Sequence, residues 1–322
     1  MARIFGFIIL FFVSGIISDL ISEEYKYEER TVGRHDDEVL GVFVNEDDTK
    51  VATCSLDETI KIWSLPDGKL LHTLKGHLGQ VNNLSFSGND KWLASGSGDH
   101  TVRIWDVETG ELLKTLRGHT DQVIGVYFSQ DDSSTYVAST SFDKTVKLWN
   151  WRLGTEIKTL RGHKLPTNNV AYSYDGKYLA SCSDDKMINV WSTDIDTKKP
   201  LMTLQGHRSP VLTVLYNFDS SLLASSDASG EVIIWDMPAG TRKRIIKAHN
   251  EITQDVTFAC DNETLATASL DGFVKLYNVN NGQNLFVHNA EVPIWSVDMT
   301  CDTGVIILGC ADGTVRFLTK NK

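Results

Sequence analysis

The sequence predicts an all-β fold: a seven-bladed β-propeller closed by an N-terminal outer strand on its last blade. Three observations predict it. A histidine recurs at His35, His77, His119, His163, His207, His249 and His288, with gaps of 42, 42, 44, 44, 42 and 39 residues. An aspartate follows 22 or 24 residues later at Asp57, Asp99, Asp143, Asp185, Asp271 and Asp312, with Ser229 in its place once. Six residues further on stand Trp63, Trp105, Trp149, Trp191 and Trp235, then Tyr277 and Leu318. A period of about 40–45 residues with this pattern marks a four-stranded propeller blade.

The elements follow in chain order. Residues 1–21 are a hydrophobic leader. Ile4 to Val13 is an unbroken apolar run, Arg3 is the only cation before it, and Val13-Ser14-Gly15 offers small residues at a cleavage spacing. That matches a secretory signal peptide. The apolar stretch is short of the ~20 residues a spanning helix needs. An uncleaved anchor and a non-targeting segment of a cytoplasmic protein stay open as alternatives. The orientation rule decides nothing, because Lys26 and Arg30 follow the segment and Arg3 precedes it.

Residues 22–322 form the propeller, with no break in the repeat to mark a second domain. Thr31-Val32 precedes His35 as Thr73-Leu74, Thr115-Leu116, Thr159-Leu160 and Thr203-Leu204 precede later histidines. No inner strands come before it, and the last unit has only three strands. Residues 24–33 therefore supply the outer strand that the last blade lacks, which removes an exposed edge. A typical blade reads Val81 to Phe86, a Gly88-Asn89-Asp90 turn, and Trp92 to Ser95. The Gly98-Asp99-His100 turn, Thr101 to Val107, the Thr109-Gly110 turn and Leu112 to Leu116 follow. Short alternating runs between Gly, Asp and Asn turns are the β signal.

The net charge of −11 argues against a nucleic-acid partner, which needs a basic face. Arg242-Lys243-Arg244 with Lys247 is read as a solvated strand edge that resists aggregation. The five cysteines are odd in number and have no Cys-x-x-Cys spacing, which predicts neither a disulfide framework nor a zinc site. Cys54 and Cys182 read as buried residues. No phosphate-binding or dinucleotide glycine pattern occurs, so no cofactor is expected. Asn262-Glu263-Thr264 is a sequon in a turn, and Asn83-Leu84-Ser85 is one in a strand.

From about Glu24 to the C-terminus the units resemble WD40 repeats. Gly118-His119 through Asp143-Lys144-Thr145-Val146-Lys147-Leu148-Trp149 carries the likeness, and Trp105-Asp106 and Trp235-Asp236 supply the dipeptide. The resemblance implies a structural tetrad in each blade, in which Asp orients His, His reaches a Ser or Thr, and that hydroxyl meets the indole N–H. The sets are His77, Asp99 and Trp105; His119, Asp143 and Trp149; and His163, Asp185 and Trp191. The second blade has two candidate hydroxyls, Ser95 and Ser97. In blade five, Asp227 is a candidate for the role that Ser229 cannot fill.

The resemblance also implies a non-enzymatic scaffold that binds other proteins or peptides on the face carrying the inter-blade loops. Residues carried over to that face include Leu56, Phe142, Asp184 and Leu270, each just before a tetrad aspartate position. Leu40, Asn82, Ile124, Asn168, Leu212, Gln254 and Trp295 are carried over just inside each first strand. Together they form an apolar collar with polar residues for orientation, and exposed patches of this kind mark interaction sites. Trp149-Asn150-Trp151-Arg152 resembles an ending found in substrate receptors of cullin ubiquitin ligases, with Asn150 departing from the acidic residue there. A propeller enzyme with a channel site is the remaining alternative. Membrane contact is expected only through the leader, if it stays uncleaved.

Overall fold

The structure, a computed structural model, describes residues 27–130, 133–194, 196–302 and 304–320. The leader at 1–21 and the start of the closing segment at 24–26 lie outside the described residues. All described secondary structure is β.

Seven four-stranded antiparallel sheets form, six of them in meander order. Blades one to six start at Val39, Val81, Val123, Thr167, Val211 and Thr253. Blade seven combines Ile294–Met299, Ile306–Cys310 and Thr314–Lys320 with Tyr27–Arg34. Tyr27 pairs with Lys320 and Arg34 with Thr314, so an N-terminal strand closes the ring.

Period-2 alternation explains each sheet. Middle strands are covered on both faces by neighbouring blades, so Leu93, Ala94, Val102 and Ile104 are fully buried. Outer strands are half-solvated. Arg242, Lys243 and Lys247 are exposed on the outer strand Thr241–Lys247. Apolar clusters fill the space between blades; one joins Ala180 and Val190 of blade four to Leu223 and Trp235 of blade five.

The innermost strands have an edge that no further strand covers. Backbone groups there need partners, and side chains of the preceding blade provide them. Asn83 accepts from the Val126 amide at 3.2 Å and Ser85 from Phe128 at 3.0 Å. Asp255 accepts from Val297 at 3.2 Å, Ser296 from Val42 at 3.1 Å, and Asp298 from Val44 at 2.8 Å.

One cysteine expectation fails. Cys260 and Cys301 form a disulfide, with Cα atoms 5.3 Å apart. They occupy equivalent turns of adjacent blades, so a 41-residue separation in sequence becomes a contact in space. Spacing rules for local motifs do not see such a pair. Cys54, Cys182 and Cys310 are free and buried.

Candidate interaction site on the loop face

The polar networks between the strands are regular. In blade two, His77 Nδ1 lies 2.8 Å from Asp99 and Nε2 lies 2.7 Å from Ser95 Oγ. The Trp105 indole donates to the same hydroxyl at 2.8 Å. This settles which serine is used. Ser97 instead donates to the Gly79 carbonyl and accepts from the Asp99 amide. His119, Asp143, Ser139 and Trp149 repeat the arrangement, as do His163, Asp185, Ser181 and Trp191. So do His35, Asp57, Thr53 and Trp63.

Burial disfavours the charged imidazole and lowers the pKa of His77 and His119, against the raising effect of the aspartates. Burial also pushes Asp99 up, but hydrogen bonds from His77 and Thr101 outweigh it and hold the carboxyl well below its usual range. The network is a neutral imidazole bound to a carboxylate, and every polar atom has a partner.

Blade five reaches the same geometry by a transposition. In blades one to four and six the order is serine then aspartate, as in Ser97 and Asp99. Here it is Asp227 then Ser229. Asp227 meets His207 Nδ1 at 2.9 Å, and Ser225 receives both His207 and the Trp235 indole. Ser229 donates to Asp227 at 2.7 Å. Glu231 adds a third potential ligand atom within 4.8 Å of the others. Both ring nitrogens of His207 are already engaged, so the trio serves the tetrad.

Blades six and seven depart further. His249 meets Asp271 and Thr267, but the Tyr277 hydroxyl donates to the Ala248 carbonyl. His288 does not take the seventh histidine position. It lies on the outer strand Asn284–Asn289 and meets Glu29 at 2.6 Å. Ala248-His249 is matched by Ala290-Glu291, which explains the short last gap of 39. Asp312 pairs with Arg316 at 2.8 Å, and Leu308 and Leu318 fill the hydroxyl and indole positions with apolar bulk.

The loop-face residues separate into two groups. Leu40, Asn82, Ile124, Asn168, Leu212, Gln254 and Trp295 converge on one central cavity of about 220 Å³. Leu56, Phe142, Asp184 and Leu270 do not line it; they stand on the turns between second and third strands. Asn168 joins the groups, donating to Asp184 at 2.8 Å and to the Val211 carbonyl at 2.8 Å. Phe142 is 38% exposed. Sequence reasoning missed two neighbours on the inter-blade loops, Leu78 at 83% and Leu165 at 45% exposed. Their signal was an apolar residue inside a predicted loop.

Below the collar the cavity turns acidic. Glu46, Asp48, Asp90, Asp255 and Asp298 line it, with no Lys, Arg or His lining it among the described residues. Burial raises Asp255 to about 7 and Asp298 to about 6. These carboxylates are committed to structure. Asp255 accepts from Ser296 Oγ at 2.6 Å and Asp298 from Thr257 Oγ1 at 2.9 Å, besides the edge amides.

On the opposite face, Arg152 stacks over Trp92 and Trp151 at 4.4 and 4.9 Å. It also donates to the Ser133 carbonyl. Its guanidinium planes are thus occupied by the chain's own rings.

The WD domain, G-beta repeat family model matches residues 27–64, 68–106, 110–150, 154–192, 198–236 and 240–278. The chain belongs to the WD40 family. No curated protein matches the chain as a relative. Each matched WD40 repeat supplies the outer strand of one blade and three strands of the next. The unmatched stretch holds the rest of blade seven, where the tetrad is lost. WD40 propellers are typically protein-interaction scaffolds and generally non-catalytic.

Proposed function

We propose that this WD40 propeller is a non-enzymatic scaffold that takes a protein or peptide segment across its loop face, centred on the cavity mouth. The convergence of one residue from every blade on that mouth carries the reading. Four of the seven are Leu40, Ile124, Leu212 and Trp295, and three carry amides. The exposed Leu78, Phe142 and Leu165 extend the apolar surface outward. An apolar centre with polar groups for orientation is the usual make-up of an interface core. The histidines, aspartates and cavity carboxylates are bound into inter-strand and inter-blade ties, which supports a scaffold over a catalytic site.

The test is to pan a peptide library on the whole chain and measure the recovered peptide against variants. Phe142→Ala and Trp295→Ala should each weaken binding by roughly thirtyfold, the equivalent of a ~2 kcal/mol hot spot. Arg242→Ala, on the outer edge, should change little. Binding that survives both substitutions but fails with Arg242→Ala or Arg152→Ala would move the site to the outer wall or the opposite face. The hydrophobic leader and the Cys260–Cys301 pair together support an oxidising, secretory compartment for this scaffold.

A further inference from the structure

Cys260 and Cys301 occupy two of seven equivalent positions around the end of the channel opposite the loop face. Glu46, Gly88, Gln130, Tyr174 and Phe218 hold the others. Adjacent turns in this ring are tied by a repeated device. A residue with left-handed backbone projects an oxygen that caps the amides of the preceding blade's turn. Asp90, at φ 59°, accepts from Glu46 and Asp47 at 2.9 and 3.0 Å. Asn262, at φ 57°, accepts from Phe218 at 2.9 Å. Ser220 accepts from Asp175, and Asp48 from Asp302 at 2.7 Å.

Between blades six and seven the tie is covalent. The turn that bears Cys301 is thus held on one side by Asp48 of blade one and on the other by Cys260 of blade six. Blade seven is also the blade with most to gain. Its tetrad is gone, and its outer strand comes from the far end of the chain and is held by noncovalent contacts, the backbone ladder and the Glu29–Arg316 ion pair among them. A bond at this turn fixes the seam between blade six and the blade that closes the ring.

The other thiols cannot substitute. Cys54, Cys182 and Cys310 are fully buried, and burial pushes the Cys310 thiol up to about 12. Cys301 is exposed and Cys260 half-buried. We propose that Cys260 and Cys301 are the redox-exchangeable pair of this chain, and that their oxidation by an external disulfide locks the closing blade to blade six.

The accessible Cys301 thiolate attacks one sulfur of the external disulfide and expels one thiolate. The Cys260 thiolate then attacks the Cys301 sulfur and expels the second. Two protein thiols lose two protons and two electrons, and one external disulfide becomes two thiols. A dithiol reductant reverses both steps and frees the seam. This device sits on the face opposite the proposed partner site, so its test is independent of that reading.

The experiment equilibrates the whole chain with glutathione disulfide or with excess dithiothreitol. Native alkylation should label no cysteine in the oxidised sample, and Cys260 and Cys301 alone in the reduced one. Hydrogen exchange should then show residues 294–299, 306–310 and 314–320 opening at least tenfold faster after reduction. The inner strands of blades two to four should not change. The Cys260→Ser/Cys301→Ser variant should show the reduced pattern in either buffer; if it fails to fold, reduced wild type still supplies the reading. Two native labels after glutathione disulfide treatment would overturn the pairing. Exchange unchanged on reduction, or changed equally in every blade, would overturn the seam lock.

Discussion

Asp227→Ala should destabilise the ring far more than Ser229→Ala, although Ser229 holds the position where other blades have their aspartate. Asp227 is fully buried and accepts from His207 Nδ1, from the Ser229 hydroxyl and amide, and from the Glu231 amide. Truncation leaves the His207 ring, about 1% exposed, with a buried N–H and no acceptor. An orphaned buried donor costs about 1–3 kcal/mol, and the two half-exposed amides find water more easily. A loss of about 3 kcal/mol follows. Unfolding entropy near 2.1 cal/mol/K per residue gives roughly 0.6–0.7 kcal/mol per degree for a chain of this size. The melting midpoint should fall by roughly 4–5 °C by calorimetry. Ser229→Ala removes one hydroxyl bond and keeps the amide bond, so it should cost about 1 kcal/mol or less. The reverse exchange, Asp227→Ser with Ser229→Asp, recreates the order of blade two and should recover most of the loss seen for Asp227→Ser alone. Equal midpoints for Asp227→Ala and Ser229→Ala, or no recovery in the exchanged double variant, would refute the reasoning.

Deleting residues 1–33 should aggregate the protein, because it strips the strand paired to Thr314–Lys320, whereas deleting 1–21 should leave solubility and melting unchanged; equal behaviour of the two would refute the closing role. Asp255 holds its proton up to about pH 7 because burial disfavours the carboxylate. The folded state therefore binds more protons than the unfolded one between about pH 4 and 7, and this group's contribution falls as pH rises. Asp255→Asn should gain stability relative to wild type from pH 5 to 8, with a ceiling of about 4 kcal/mol at about 1.4 kcal/mol per pH unit; a flat difference between the two melting profiles would contradict it. If a eukaryotic secretory pathway handles the chain, Asn262 in its turn should carry glycan and Asn83 should not, since Asn83 lies within the inner strand Val81–Phe86; glycopeptide mapping decides.

Fold and ring closure were legible because each blade repeats one solution. The Gly-His pair, the turn aspartate and the tryptophan recur at fixed intervals, so errors at one blade are corrected by six others. What escaped the sequence was anything that broke the repeat. His288 kept the approximate period but lies on a strand three residues before the true position, now Glu291. Asp227 and Ser229 exchanged places; the sequence offered Asp227 as a candidate, and the direction of the His207 ring places it in the role. The Cys260–Cys301 contact depends on two turns meeting around a circle, which linear spacing does not encode. At the loop face the seven mouth positions could be counted along the chain. The separation of Phe142, Leu56 and Leu270 from the cavity depends on how far each turn stands from the axis, and alternation says nothing of that distance.

The offset between repeat and blade has a consequence for how such a ring tolerates change in length. Each matched unit begins with one blade's outer strand and ends with the third strand of the next. Removing one whole unit therefore leaves every remaining sheet with four strands and asks only that the circle close with fewer members. Removing the same number of residues in register with a blade asks the neighbours to accept a cut at the inter-blade loop that carries the histidine. Insertions and losses of whole units can thus resize this architecture without passing through a sheet with a missing edge.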